Sequence, residues 1–198
     1  MAKSYPLFTL HAQIRDIEPP IWRRVQVEGG ESLRKLHHIL QAAFGWQDAH
    51  LHEFVIDGKA YVMMDVEDML EFMDPKTTFD DRKVKLEKVA NQDSRFVYKY
   101  DFGDGWDHDV VVEKIDIVKT EPYGCAHIVA GARACPPEDV GGPHGYQRFL
   151  KTLREQPRSE EARDLRIWVG RDFDAELFDR RAANAALLRM ASNGWGRK

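Results

Sequence analysis

Cysteine is scarce in this chain. Cys125 and Cys135 are the only two among 198 residues, too few for a disulfide framework. The N-terminal residues show no signal-peptide pattern, so a reducing cytoplasm is expected, with both thiols free of disulfide and metal. No apolar run approaches the roughly 20 residues a membrane span requires, which removes the membrane as an expected partner. An excess of positive charge is missing too. The formal net charge of −4 gives no general attraction to nucleic acid and leaves only a local basic patch as a route to it. Internal repeats and low-complexity tracts are absent. What remains, 43% hydrophobic and 31% charged residues, is ordinary for a globular chain of this length.

Along the chain, residues 5–17 alternate, with Phe8, Leu10, Ala12 and Ile14 on one side, and predict a strand broken by Pro19-Pro20. Residues 21–27 predict its return, with Ile21, Val25 and Val27 inward; Arg23 falls on the apolar side, in conflict with that pattern. Ser32 is placed to cap a helix bearing Leu33, Leu36, Leu40, Ala43 and Phe44, and Gly45 to stop it. Residues 50–56 and 59–63 predict a hairpin joined by Asp57-Gly58. Residues 64–94 are acidic and weakly patterned, and predict a variable excursion with one short element near 84–89. Residues 119–140 predict irregular structure. Helices follow from Pro143, from Ser159 and from Asp179. The order predicts a single α+β domain over 1–198. Within it lie a core at 5–118, a structured loop at 119–145 and C-terminal helices at 146–198. The core is expected to be a curled antiparallel sheet built from hairpins and crossed by one N-terminal helix.

The centre of this order is Tyr100-Asp101-Phe102-Gly103-Asp104-Gly105-Trp106-Asp107-His108-Asp109. Asp and Gly tolerate the positive φ of hairpin turns, so the segment predicts a hairpin tip. A three-residue loop, Gly103-Asp104-Gly105, pairs Phe102 with Trp106 and Tyr100 with His108. Phe96, Tyr98, Tyr100, Phe102, Trp106, His108 and Val110 then share a buried face. Asp101, Asp107 and Asp109 share the other, with Asp101 and Asp107 as cross-strand neighbours.

Five blocks carry a resemblance. They are Ile21-Trp22-Arg23-Arg24, the run from Leu36-His37-His38 to Phe44-Gly45-Trp46, His50-Leu51-His52-Glu53-Phe54, Tyr100 to His108, and Ala134-Cys135-Pro136-Pro137-Glu138-Asp139-Val140-Gly141-Gly142-Pro143. In this order they resemble the plasmid pRi open-reading-frame-three-like family across about residues 5–180. The resemblance implies an association with plasmids or mobile elements and little else, because its members are largely uncharacterised. Some carry a resolvase-like label, but this chain has no serine-recombinase pattern to support that chemistry.

Together the blocks define a candidate pocket. The helix contributes His37 and the segment after it Trp46; His50, His52 and Glu53 come from the next strand. Asp101, Asp104, Trp106, Asp107 and His108 come from the hairpin, and Glu138 and Asp139 from the loop ahead of the helix at Pro143. The leading expectation is a ligand- or partner-binding module with no cofactor. The first alternative is a metal-dependent hydrolase using Asp and His of 101–109, since carboxylates and imidazoles suit a divalent ion. The second is nucleic-acid binding through Arg15, Arg23, Arg24, Arg34 and Lys35 with Trp22. Asp101-Phe102-Gly103 matches a kinase tripeptide, but a Gly-rich nucleotide loop and a His-Arg-Asp motif are both missing. Cys125, His127, Cys135 and His144 lack the paired spacing of structural zinc. The glycines at 141–142 ahead of a helix form a generic anion site without the Lys-Ser/Thr of a phosphate loop.

Overall fold

The alternation of Phe8, Leu10, Ala12 and Ile14 produces the strand it implies, β1 (Tyr5–Ile14), with all four side chains buried. A computed structural model describes residues 4–64, 74–119 and 126–194. Eight strands form one curled, unclosed sheet: β1, β2 (Trp22–Glu28), β3 (His52–Ile56), β4 (Lys59–Val62), β5 (Thr78–Asp80), β6 (Arg95–Tyr100), β7 (Trp106–Val118) and β8 (Ala126–Ala132). Their spatial order is β5-β4-β3-β6-β7-β1-β2-β8. Every pairing is antiparallel except β4 with β5, which departs from the all-antiparallel expectation.

One helix, α1 (Leu33–Phe44), packs Leu33, Leu36, Ile39 and Leu40 into the core that the sheet curls around. Ser32 accepts from Lys35 N at its start, and Gly45 ends it in the left-handed region at φ 107°. A short α2 (Leu86–Val89) is the element foreseen near 84–89, while residues 65–73 of the excursion lie outside the described residues. The C-terminal part is helical: α3 (Gly142–Glu155), α4 (Glu160–Val169) and α5 (Arg180–Ser192), with Ser159 and Asp179 capping the last two as expected.

Two corrections concern elements. Residues 126–132, expected to be irregular, form β8 on the open edge of β2. Of its side chains only Ile128 is buried, so the strand had almost no apolar pattern to announce it; Asn184 of α5 pins it by bonding both Ile128 N and O. The β6–β7 tip closes through five residues, 101–105, rather than three. Tyr100 pairs with Trp106, Tyr98 with His108 and Phe96 with Val110. The slip is by two residues, so every strand side chain keeps its expected face. Phe102 is therefore in the turn and 46% exposed, and Asp107 pairs across to Lys99 instead of Asp101.

Arg23 does sit on the apolar side, 1% exposed. Its guanidinium donates to the carbonyls of Ala43, Trp22, Ala132 and Arg133 and stacks 3.9 Å from the Phe178 ring centroid. Burial draws its pKa down to about 10. The conflict in the pattern is a buried cation that collects carbonyls from the end of α1 and the end of β8.

Candidate functional site

Five-residue closure of the β6–β7 tip follows from Asp101, held in the left-handed region at φ 54°. Its Oδ1 accepts from Gly103 N at 3.0 Å and Asp104 N at 3.3 Å, the Asx geometry that a short polar side chain makes with its own turn. Its Oδ2 points out of the turn to within 3.6 Å of His50 Nε2. His50 lies ahead of β3, which begins at His52 rather than at residue 50 as expected. Glu138, in the segment between β8 and α3, directs Oε1 to Gln47 N at 2.7 Å and to the Tyr100 hydroxyl, which donates at 3.0 Å. Its Oε2 remains 3.8 Å from His50 Nε2, and the exposed Asp139 carboxylate is 3.3 Å from the same nitrogen.

Three segments distant in sequence thus bring His50, Asp101, Glu138 and Asp139 together. His50 Nε2 and Glu138 Oε2 are buried atoms without a hydrogen-bond partner, although the Glu138 side chain is only 10% exposed. His50 and Asp101 also line an open cleft of about 520 Å³ with Met63 and Phe102, and Glu138 and Asp139 line another of about 390 Å³ with Cys135 and Trp168; Ala49 borders both. Tyr100 was not foreseen as part of this site. Its signal was available: a tyrosine on a buried face needs a partner for its hydroxyl. Burial first, and then the Glu138 charge, hold that phenol above its ordinary pKa, so it stays a donor.

A second cluster, beside it, is held by hydrogen bonds and ion pairs of its own. His37 is fully buried, with Nδ1 2.8 Å from the Tyr98 hydroxyl and Nε2 2.6 Å from Asp48. Gln41 donates to the same hydroxyl, so Tyr98 donates to His37 Nδ1 and His37 Nε2–H donates to Asp48. His38 Nδ1 meets the other Asp48 oxygen at 3.0 Å. His52 stacks on His37 with ring centroids 3.5 Å apart and bonds Asp81, which also receives Arg34. Burial lowers the His37 pKa to about 3 and draws His52 down as well. Burial alone would raise Asp48, but the bonds from His37 and His38 outweigh it and hold the carboxylate well below its usual range. Asp48 and Asp81, the partners that fix these imidazoles, carried no pattern that could have singled them out.

Other candidates are not brought to either cluster. His108 is fully buried, with Nδ1–H directed at the carbonyls of Trp106 and Tyr98 and Nε2 accepting from Trp46 Nε1 at 3.4 Å. Burial lowers its pKa to about 4. Both nitrogens are used, so His108 pins the core; Trp106 and Trp46 pack beside it with ring centroids 5.3 Å apart. Glu53 pairs with Lys99 and Asp107 with Arg15 on the opposite face of the sheet. These candidates do not converge, because strand alternation sends the carboxylates of Glu53 and Asp107 away from the imidazoles of His52 and His108. Asp104 Oδ2 accepts from Gly141 N at 3.0 Å, filling the anion site ahead of α3 with a carboxylate of the chain itself. The basic residues are likewise engaged: Arg15 with Asp107 and Asp109, Arg24 with Glu113, Arg34 with Asp81. Cys135 is a free thiol, raised well above its ordinary pKa by burial. Cys125 lies outside the described residues, and among those described no group of three ligand-type side chains includes His127, Cys135 or His144. No helix among the described residues is long and apolar enough to cross a membrane.

The family described as "Plasmid pRiA4b ORF-3-like protein" matches residues 6–182. The uncharacterized protein y4hQ of Sinorhizobium fredii (strain NBRC 101917 / NGR234) is 36% identical over 193 residues, 96% of this chain and 94% of that one. The crystal structure of MM3350, a protein of unknown function from Methanosarcina mazei Go1, is similar with a TM-score of 0.76 and 33% identity, covering 89% of this chain and 97% of the other.

Proposed function

This chain belongs to the plasmid pRiA4b ORF-3-like family, and from that premise we propose that it is a binding module whose ligand seats at His50, Asp101 and Glu138. No relative's name supplies an activity, so the reading stands on the site. One observation carries it: Glu138 Oε2 is a buried oxygen without a hydrogen-bond partner, 3.8 Å from His50 Nε2, a buried nitrogen whose nearest carboxylate is the exposed Asp139 at 3.3 Å. A buried polar atom left without a hydrogen bond costs about 1–3 kcal/mol, a cost a fold keeps where a ligand removes it. The surrounding atoms are committed elsewhere. Asp101 Oδ1 is tied to its turn and Glu138 Oε1 to Gln47 and Tyr100, so each carboxylate presents one oxygen.

The hydrolase alternative loses its residues here, since of the 101–109 hairpin only Asp101 reaches the site, while His108 is a core residue.

Glu138→Gln tests the reading. The amide oxygen keeps the bonds from Gln47 and Tyr100, while the new NH₂ can donate toward His50 and Asp101. A site kept strained for a ligand gains stability when its function is removed. The unliganded variant is expected to melt at the same temperature as the natural protein or a few degrees higher. A fall of several degrees would mark Glu138 as a structural residue and end the reading.

A further inference from the structure

We infer that the ligand at His50, Asp101 and Glu138 is a divalent transition-metal ion; this rests on the binding-site reading and names its occupant. The three ligand atoms lie within 4.8 Å of one another. His50 Nε2 is 3.6 Å from Asp101 and 3.8 Å from Glu138, too far for hydrogen bonds. Ligands on a tetrahedral ion at metal distances of about 2.1 Å stand about 3.4 Å apart, so this spacing suits side chains that share an ion better than side chains that bond each other. The neighbouring cluster shows the contrast. There His37 and Asp48 are hydrogen-bonded at 2.6 Å, and His38 Nδ1 stands 3.0 Å from the other Asp48 oxygen, both closer than the distances at His50.

Two further observations point the same way. The Glu138 oxygen without a hydrogen-bond partner belongs to a side chain only 10% exposed and stands 3.8 Å from His50 Nε2. Each carboxylate is also oriented from behind, Asp101 by the amides of Gly103 and Asp104 and Glu138 by Gln47 and Tyr100. Such outer-shell bonds fix metal ligands in place. One imidazole with two carboxylates favours zinc, manganese, iron or cobalt over magnesium or calcium, which take oxygen shells. Asp139, 75% exposed and 3.3 Å from His50 Nε2, is placed to add a fourth ligand, and His50 and Asp101 line the open cleft beside it.

The test uses the full chain, stripped with chelator and titrated with ZnCl₂, MnCl₂ and CoCl₂. One ion per chain is expected by calorimetry, with a melting temperature raised by several degrees and visible cobalt bands of a four- or five-coordinate site. His50→Ala, Asp101→Asn and Glu138→Gln should each weaken binding tenfold or more, and His38→Ala should leave it unchanged. Asn can hold the turn at 101, and Glu138→Gln is nearly isosteric, so loss of binding in a variant with an intact circular dichroism spectrum and melt reports ligation. No stoichiometric binding of any of the three ions overturns the inference, as does binding undiminished in both His50→Ala and Glu138→Gln. If metal fails to bind while Glu138→Gln still stabilises the protein, the metal assignment falls and the binding-site reading stands. If metal fails and Glu138→Gln destabilises, both fall.

Discussion

His108 and Asp104 lie four residues apart on one hairpin and do opposite work. His108 is completely buried and bonded through both ring nitrogens, so His108→Ala removes packing against Phe44 and Tyr98 and orphans the Trp46 N–H. A loss of about 2–4 kcal/mol is expected from equilibrium urea unfolding, with metal affinity nearly unchanged. If metal binding disappeared with stability intact, His108 would belong to the site after all. Asp104 is half-buried, and its carboxylate accepts from Gly141 N at the start of α3. Asp104→Ala should cost about 1 kcal/mol, in line with the loss of a helix-capping side chain. That contact also sets where the Glu138–Asp139 segment meets the turn of Asp101, so a weakened metal affinity is expected alongside the modest melt shift.

At the scale of elements, the site depends on how a loop docks on a hairpin. Gly142 adopts φ 67°, and a Cβ there would run into the backbone carbonyl of Asp104. Gly142→Ala is therefore expected to cost about 2 kcal/mol or more, because neither the conformation nor the backbone neighbour can give way. Thermal melts check it; a loss below half a kilocalorie would mean that the loop does not sit this close. Arg23 performs a similar service for α1. Its guanidinium gathers the carbonyls of Ala43, Ala132 and Arg133, joining the end of the helix to the end of β8. Lysine keeps the charge but cannot span this fork of acceptors, so Arg23→Lys should cost about 3 kcal/mol or more. A near-neutral result would show that water can take over those carbonyls.

Across the whole molecule, buried histidines set the response to acid. His37 and His108 titrate near pH 3 and 4 in the folded state, against 6.5 for the free side chain, because burial disfavours the imidazolium. The unfolded chain therefore takes up protons that the folded chain refuses. Stability is complete above about pH 6.5 and falls as pH drops from there toward the folded values. The slope is about 1.4 kcal/mol per pH unit for each histidine. Urea midpoints at pH 7, 6 and 5 should decline steadily, well above the carboxylate range, and His108→Gln should flatten the slope. A midpoint constant from pH 7 to 5 would mean that these imidazoles are not buried neutral.

Local patterning alone determined most of the architecture. Alternation along 5–14 and 95–100, the Ser32 and Gly45 signals around α1, and the Asp57-Gly58 turn are short-range consequences of side-chain periodicity and backbone sterics, and they specified the elements and their buried faces. Even the two-residue slip of the central hairpin kept those faces, since parity survives an even shift. The site was legible only as a set of residue types. That His50 would leave the strand period, that Asp101 would turn one oxygen into its own loop, and that Glu138 would arrive from 37 residues further on to face His50 were decided by tertiary packing. The same holds for β8, whose weak pattern is completed by the open edge of β2 and by Asn184. The physical reason is the range of the interaction: hydrophobic period acts between near neighbours, whereas side chains from separate loops meet only once the core beneath them has fixed where each loop begins.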